Sequence, residues 1–139
     1  MTNRCMVWSS IGKHAKRRGI NPSVNYSQGV LFMKRYGSVI GLKPEMLEHY
    51  KQLHAAVWPD VARMITECNI RNYSIYYKDG LLFSYFEYIG DDYEKDMAKM
   101  AADPMTLKWW DECKPCQQPL DTRAEGEWWA DMPEFFHQD

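Results

Sequence analysis

The sequence predicts an α+β domain with the ferredoxin-like element order β-α-β-β-α-β, on the evidence of one hairpin and the two helical segments around it. The hairpin is the clearest signal, because two runs of β-branched and aromatic residues flank Asp79-Gly80, a favoured pair for a tight turn. Residues 44–68 and 90–112 carry helical patterns on either side of it. The 139 residues suffice for one domain with its own core.

The first half of the chain supplies a strand and a helix in two parts. Residues 35–42, RYGSVIGL, alternate in polarity as a strand does. A helix is predicted to open at Pro44, since proline is tolerated in a first turn, and to run to about Val57. Pro59 begins the second part, PDVARMITECN, which Asn69 is expected to end.

The predicted hairpin strands, residues 70–78 and 81–88, are largely apolar or aromatic on both faces. One layer of helices covers one face of a sheet, so the other face must meet a second sheet, a ligand or another subunit. Closed two-fold dimers are the commonest oligomers, and we therefore expect a homodimer that buries the open face. Grouped by odd and even positions, the two faces are expected to hold Tyr73, Ile75, Tyr77, Phe83 and Tyr85, and Tyr76, Leu82, Phe86 and Tyr88.

The C-terminal part begins with a helical segment, residues 90–112, which is expected to break near Asp103-Pro104. The stretch CKPCQQPLD that follows is predicted to be loop. GEWWADM, residues 126–132, could supply a last short strand, with PEFFHQD as a tail.

The charge distribution predicts a boundary near residue 32. Residues 1–32 contain five basic and no acidic side chains, whereas the remaining 107 residues hold 12 Lys and Arg against 19 Asp and Glu, a net charge of −7. We expect residues 1–32 to be a basic extension, either a disordered upstream segment or a transit-like peptide. The folded domain is expected to span residues 33–139.

Composition argues against several classes of partner. An acidic domain repels nucleic acid and anionic lipid, and no run approaches the roughly 18 apolar residues that a membrane span needs. The four cysteines have no secretory segment before them and are expected to be reduced thiols inside a cell. We therefore expect a cytoplasmic protein, or an organellar one if the N-terminal segment directs import.

The motif Cys113-Lys-Pro-Cys116 resembles a dithiol redox centre, but its context differs. Such a centre needs a cysteine of low pKa at a helix N-terminus after a strand, and this pair follows a predicted helix. As zinc ligands the two cysteines lack a second pair, with His137 the only later candidate. We expect an incidental loop without a metal.

The segment EHYKQLHAAVWPD places Tyr50, His54 and Trp58 four residues apart, on one face of a predicted helix. Together with Trp109-Trp110 these side chains could line a pocket that is aromatic and able to move protons. Flat rings match the C–H faces of sugars, and Tyr and His satisfy sugar hydroxyls. The alternative is an aromatic core that contains one buried histidine.

The ordered set YKQLHAAVWP, NYSIY, LLFSYFEY, WW and an acidic-aromatic tail resembles the L-rhamnose mutarotase family over about residues 34–139. The resemblance implies a dimeric ferredoxin-like α+β barrel that interconverts the α and β anomers of L-rhamnose without metal or cofactor. It also implies that His54 is the proton-donating residue. The substrate-binding residues implied by the same motifs are Tyr50, Tyr73, Trp109 and Trp110.

One departure from the family pattern leaves the exact sugar open. Members from bacterial rhamnose pathways carry Asn-Pro directly after the histidine, where this chain has Ala55-Ala56. Ferredoxin-like dimers host many functions, so a cofactor-free oxygenase-like protein and a non-enzymatic module that binds a sugar or another small ligand are the alternatives. A mutarotase speeds the approach to anomeric equilibrium, whereas a binding protein saturates without changing its rate.

Overall fold

The computed structural model describes residues 33–139, and the predicted basic segment 1–32 lies outside the described residues. The predicted α+β architecture is confirmed, with each helical segment in two parts and the last strand in two short pieces. The elements are β1 (Lys34–Leu42), a 3₁₀ turn (Pro44–Met46), α1 (Leu47–Ala55), α2 (Pro59–Glu67), β2 (Ile70–Lys78), β3 (Leu81–Tyr88), α3 (Tyr93–Ala102), α4 (Pro104–Cys113), a second 3₁₀ turn (Lys114–Cys116), β4 (Gln117–Gln118) and β5 (Ala130–Met132).

The strands form one antiparallel sheet in the order β2-β3-β1, and both short pieces pair with the free edge of β1. β4 pairs with Gly41 and Leu42, and β5 pairs with the residues around Ser38. The two pieces together take the place of the last strand of a ferredoxin-like sheet. This division brings the segment between them beside the C-terminal end of β1.

The hairpin closes as the sequence predicts, with Lys78 paired to Leu81 and positive φ at both Asp79 and Gly80. From Ser74 to Lys78 its register pairs, for example, Ile75 with Ser84, so in this part odd positions of β2 share a face with even positions of β3. The expected grouping of side chains by odd and even position was therefore wrong. A two-residue loop reverses the parity between the strands that it joins.

The helices cover one face of the sheet and bury a core that includes Ile40, Phe86 and Met100. On the opposite face Tyr76 is 65% exposed, and its cross-strand neighbour Phe83 is half-buried. The two phenylalanines of the C-terminal tail do not cover this surface, since Phe135 is 94% and Phe136 80% exposed. Within residues 33–139 the second face of the hairpin therefore stays partly open.

Two boundaries differ from the sequence prediction. The first helix ends at Ala55, and Trp58 has the extended backbone angles φ −61° and ψ 133°. A residue before proline is disfavoured in the α region, so Pro59 stops Trp58 from continuing the helical face. The stretch after Cys113, predicted to be loop, contains a 3₁₀ turn and the strand β4.

No helix in the described part of the chain is both long and apolar enough to cross a membrane.

Candidate active site

The five residues singled out from the sequence line one partly open cavity of about 50 Å³ on the helix-covered face of the sheet. Helix α1 contributes one pair of side chains, α4 the paired tryptophans, and β2 a tyrosine. These five residues are Tyr50, His54, Tyr73, Trp109 and Trp110. The remaining lining residues are Ile75, Cys113, Lys114, Gln117 and Trp129.

His54 is held with one ring nitrogen bonded to the backbone. Its Nδ1 lies 2.9 Å from the carbonyl oxygen of Tyr50, and since a carbonyl only accepts, Nδ1 carries the hydrogen. The imidazole stacks on the Tyr50 ring at 4.1 Å between centroids and meets the edge of Trp109 at 5.2 Å. Burial lowers the pKa of His54, against a smaller opposing effect of the backbone hydrogen bond. The neutral ring therefore offers Nε2 as a proton acceptor.

Tyr50 is buried and connected to the C-terminal part of the chain through two hydrogen bonds. The Gln117 amide nitrogen lies 3.3 Å from its hydroxyl oxygen, and the Trp128 indole nitrogen lies 2.8 Å from the Gln117 amide oxygen. Burial first, and the neighbouring Tyr73 second, raise the pKa of Tyr50. The phenol consequently keeps its proton and can donate it in a hydrogen bond.

Tyr73 reaches the cavity from β2 and packs edge-on against Phe86, with 5.8 Å between ring centroids. Burial, followed by the nearby Cys113, raises the pKa of its hydroxyl. Both tyrosines in the cavity are therefore protonated hydrogen-bond donors, next to a neutral imidazole.

The tryptophans form the apolar side of the cavity. Trp109 and Trp110 are 7% and 8% exposed, and Trp58 supports Trp109 through an edge contact at 5.2 Å. Trp58 itself lies outside the lining, because it falls beyond the end of α1. The Lys114 ammonium lies 5.7 Å from the ring centroid of Trp110 and 6.0 Å from that of Trp128.

The two cysteines of the CxxC motif are buried free thiols. Cys113, the last residue of α4, lines the cavity, and burial raises its pKa to about 12. A dithiol redox centre depends on the opposite shift, towards the thiolate. Across residues 33–139 no group of three or more His, Cys, Asp and Glu side chains could hold a metal ion.

Gln117 is a lining residue that no pattern in the sequence indicates. It follows Cys116 beside a second glutamine, yet Gln117 is 6% exposed and Gln118 is exposed. The pairing of β4 with β1 makes this difference, and a two-residue strand leaves no periodic signal. Ala55 and Ala56, which depart from the family pattern, are exposed and lie outside the lining.

Comparison with known proteins gives a consistent result. Residues 35–138 match the family model of L-rhamnose mutarotase. The chain is 33% identical over 115 residues to the L-rhamnose mutarotase of Phocaeicola vulgatus, covering 77% of this chain and 100% of that protein. The L-rhamnose mutarotase of Oceanobacillus iheyensis is 29% identical over 107 residues, with the same coverage.

Two solved structures share the fold. A crystal structure of an L-rhamnose mutarotase from Formosa agariphila has a TM-score of 0.59 at 18% identity, covering 76% of this chain and 99% of that one. The tetracenomycin F2 cyclase of Streptomyces glaucescens, a type-II polyketide cyclase, has a TM-score of 0.57 at 14% identity, covering 76% and 97%. At these identities both likenesses bear on the fold alone.

Proposed function

The chain belongs to the L-rhamnose mutarotase family, and from that premise we propose that it interconverts the α and β anomers of L-rhamnose, or of a related 6-deoxyhexose, by general acid–base catalysis. The observation that carries the proposal is one cavity in which the His54 imidazole, neutral and with Nε2 available, lies beside the protonated hydroxyls of Tyr50 and Tyr73. Mutarotation requires one proton to leave the anomeric hydroxyl and another to reach the ring oxygen, which general acid–base groups can bring about. The protein is thus an enzyme that acts on sugar anomers.

Ring opening in this proposal begins at His54. Its Nε2 takes the proton of the anomeric hydroxyl, and the electron pair of that O–H bond becomes the second bond of the C1 carbonyl. The bond between C1 and the ring oxygen breaks, its electron pair goes to the ring oxygen, and that oxygen takes a proton from a water held by a tyrosine hydroxyl. No electrons are gained or lost, so the step needs no redox partner.

Rotation about the C1–C2 bond then presents the other face of the aldehyde. On closure the ring hydroxyl attacks C1 and releases its proton to the hydroxide left by that water, which becomes water again, and His54 returns its proton to the carbonyl oxygen. His54 is thus the acid/base in both directions, in keeping with the proton-donating role implied by the family resemblance. Its pKa, below the ordinary value of 6.5, favours the neutral form that starts the cycle.

Substrate binding is assigned to the remaining four residues. Tyr50 and Tyr73 orient sugar hydroxyls as donors. Trp109 and Trp110 supply the apolar side, which we assign to the 6-deoxy methyl group.

We further propose that the protein acts as a cytoplasmic homodimer. The open face of the hairpin, with Tyr76 exposed and Phe83 and Tyr85 half-buried, would pack against its two-fold mate. Light scattering behind a size-exclusion column should give twice the chain mass of 16.5 kDa. A monomer at micromolar concentration would contradict the dimer.

Saturation-transfer NMR tests the activity directly. Saturating the anomeric proton of one L-rhamnose anomer should weaken the signal of the other only when the protein is present. L-Mannose, which has a hydroxyl in place of a hydrogen on C6, is the matched control for the apolar side and should exchange more slowly. Binding of L-rhamnose without faster exchange would contradict the mutarotase and identify a sugar-binding protein.

A further inference from the structure

We propose that Gln117 is a positioning residue that directs the hydroxyl proton of Tyr50 into the cavity, so that Tyr50 donates to the sugar or to its attendant water. This role rests on the proposed mutarotase function. It lies outside the motifs by which the chain resembles the family, because those motifs end at the paired tryptophans and resume with the tail.

The orientation of the Gln117 amide follows from Trp128. An indole N–H only donates, and it lies 2.8 Å from the amide oxygen of Gln117. That oxygen is therefore occupied as an acceptor. The amide NH₂ group is the end of the side chain that remains for Tyr50.

The orientation of the Tyr50 hydroxyl follows in turn from Gln117. An amide NH₂ has hydrogens to give and accepts none, so at 3.3 Å the Tyr50 oxygen is the acceptor. The proton of Tyr50 then cannot point towards residue 117. Both side chains are nearly buried, at 5% and 6% exposure, which limits competition from bulk water.

This arrangement gives the cavity one fixed acceptor and one fixed donor on adjoining rings. The backbone carbonyl of Tyr50 holds the proton of His54 on Nδ1 and so leaves Nε2 as the acceptor. Gln117 holds the Tyr50 hydroxyl as the donor, and the two rings stack at 4.1 Å. His54 can thus accept the proton of one sugar oxygen while Tyr50 donates a hydrogen bond to another oxygen of the same sugar or to its water.

The backbone around Gln117 is held by the sheet. Gln117 pairs with Leu42, and the Lys43 amide donates to the Cys116 carbonyl at 2.9 Å. Gly41 permits this close approach, because a Cβ at that position would lie 2.5 Å from the Gln118 carbonyl oxygen. The position of the amide is thus set by strand pairing.

The first test is Gln117→Glu, with Gln118→Glu as the matched control on the exposed neighbour. A carboxylate still accepts from Trp128, but it has no hydrogen for Tyr50 and draws the tyrosine proton towards itself. The maximal rate of anomer exchange should fall about tenfold or more, the size of one lost hydrogen bond in the reacting complex, while Gln118→Glu stays near wild type. A Gln117→Glu variant that exchanges at the wild-type rate would overturn the proposal.

The second test separates positioning from a general structural role. If Gln117 acts through the Tyr50 hydroxyl, Gln117→Glu should cause little further loss in a Tyr50→Phe background. Equal losses in both backgrounds would show that residue 117 only supports the structure, and would overturn the proposal. Residual exchange by His54 keeps the double variant measurable above the uncatalysed rate.

Trp128→Phe is the arm to use if Gln117→Glu fails to fold, as judged by its Tm. Without the indole N–H the amide is free to turn, so exchange should fall several-fold in the wild-type background and hardly at all with Tyr50→Phe. An unchanged exchange rate in Trp128→Phe would contradict the inferred role of the hydrogen bonds that lead from Trp128 through Gln117 to Tyr50. Absence of exchange in the unmodified protein would instead refute the proposed function, so the two failures are distinguishable.

Discussion

Two aromatic clusters lie on the helix-covered face of the same sheet, and they differ in where their polar groups find partners. In the Asp96 cluster, formed by Tyr36, Tyr88, Tyr93 and Asp96, the carboxylate accepts from the Tyr88 hydroxyl at 2.6 Å and from Asn69 at 2.8 Å. The Tyr88 and Asn69 donors are thus used inside the protein, whereas the buried Tyr93 hydroxyl has no hydrogen-bond partner among the described residues.

In the His54 cluster, formed by Tyr50, His54 and Trp109, the polar groups are only half used. One nitrogen of His54 is bonded to the backbone and the other remains for a ligand, while Tyr50 accepts from Gln117 and keeps its own proton to give. Both clusters contain stacked rings and buried tyrosines. The difference teaches that aromatic composition does not identify a site, whereas an acceptor and a donor left unpaired beside a cavity do.

The largest expected change in the rate of anomer exchange is that caused by His54→Ala. Loss of the proton acceptor should lower anomer exchange by about 10²–10⁴-fold, the usual contribution of a general acid–base group. His49→Ala is the matched control, since His49 lies exposed on the same helix. Saturation transfer measures both variants, and circular dichroism checks that they fold. Undiminished exchange in folded His54→Ala would remove this residue from the mechanism.

Replacing one tyrosine by phenylalanine in each cluster tests whether the two clusters differ in function. Tyr88→Phe removes a donor from the buried side of Asp96 and should lower the free energy of unfolding by about 1–3 kcal/mol, with exchange within a few-fold of wild type. Tyr50→Phe should lower exchange about tenfold or more, with a loss of stability of similar size because the buried Gln117 amide loses its acceptor. Urea unfolding and saturation transfer on the pair measure both quantities. If the two variants show the same profile, the clusters do not differ in the way described.

A smaller effect is expected from the glycines of β1 that lie beside each cluster. A Cβ at Gly41 would lie 2.5 Å from the Gln118 carbonyl oxygen, so Gly41→Ala should displace β4 and lower exchange several-fold. A Cβ at Gly37, next to Tyr36 of the Asp96 cluster, would come no nearer than 3.4 Å to any neighbouring atom, and that atom is the end of the Met132 side chain. Gly37→Ala should therefore exchange at nearly the wild-type rate. A larger loss in Gly37→Ala than in Gly41→Ala would contradict the placement of β4.

The smallest expected effect is a dependence of stability on pH that comes from His54. In the unfolded chain this imidazole titrates near 6.5, whereas burial lowers its pKa in the folded protein. Between the two values the unfolded chain binds more protons, so stability should fall as the pH drops below 6.5. Urea unfolding at about pH 7.5 and about pH 5.5 should show a steeper fall for wild type than for His54→Ala. Equal falls would mean that burial does not shift this histidine.

Much of the fold and part of the site were predictable from the sequence, because their signals are local. Asp79-Gly80 predicts the hairpin, and helical spacing alone predicts that Tyr50 and His54 lie close together. The place of Tyr73 came from the family resemblance and that of the paired tryptophans also from the aromatic pattern, and the structure brings all of them to one cavity.

The remaining features depend on contacts between distant parts of the chain. Gln117 meets Tyr50 across 67 residues, and no pattern in either segment records that meeting. The prediction that Trp58 lies on the helical face of Tyr50 and His54 was wrong for a local reason. Pro59 disfavours helical backbone angles at the residue before it, and this outweighs the spacing of four. The prediction of which hairpin side chains share a face was wrong because the length of the loop sets the register, and residue numbers that are both odd or both even do not.

The division of the last strand into β4 and β5 has a consequence for the order of assembly. Loop closure over many residues is entropically costly, and contacts far apart in sequence tend to form late. The stacked pair Tyr50 and His54 can form within one helix. The hydrogen bond from Gln117 to Tyr50 needs residue 117 to be present, and the orientation of the Gln117 amide needs Trp128. During synthesis, a chain that has reached the end of α4 already contains His54, the proposed acid/base, and both tyrosines. In the proposed arrangement Gln117 and Trp128, which emerge later, then set the direction in which Tyr50 donates.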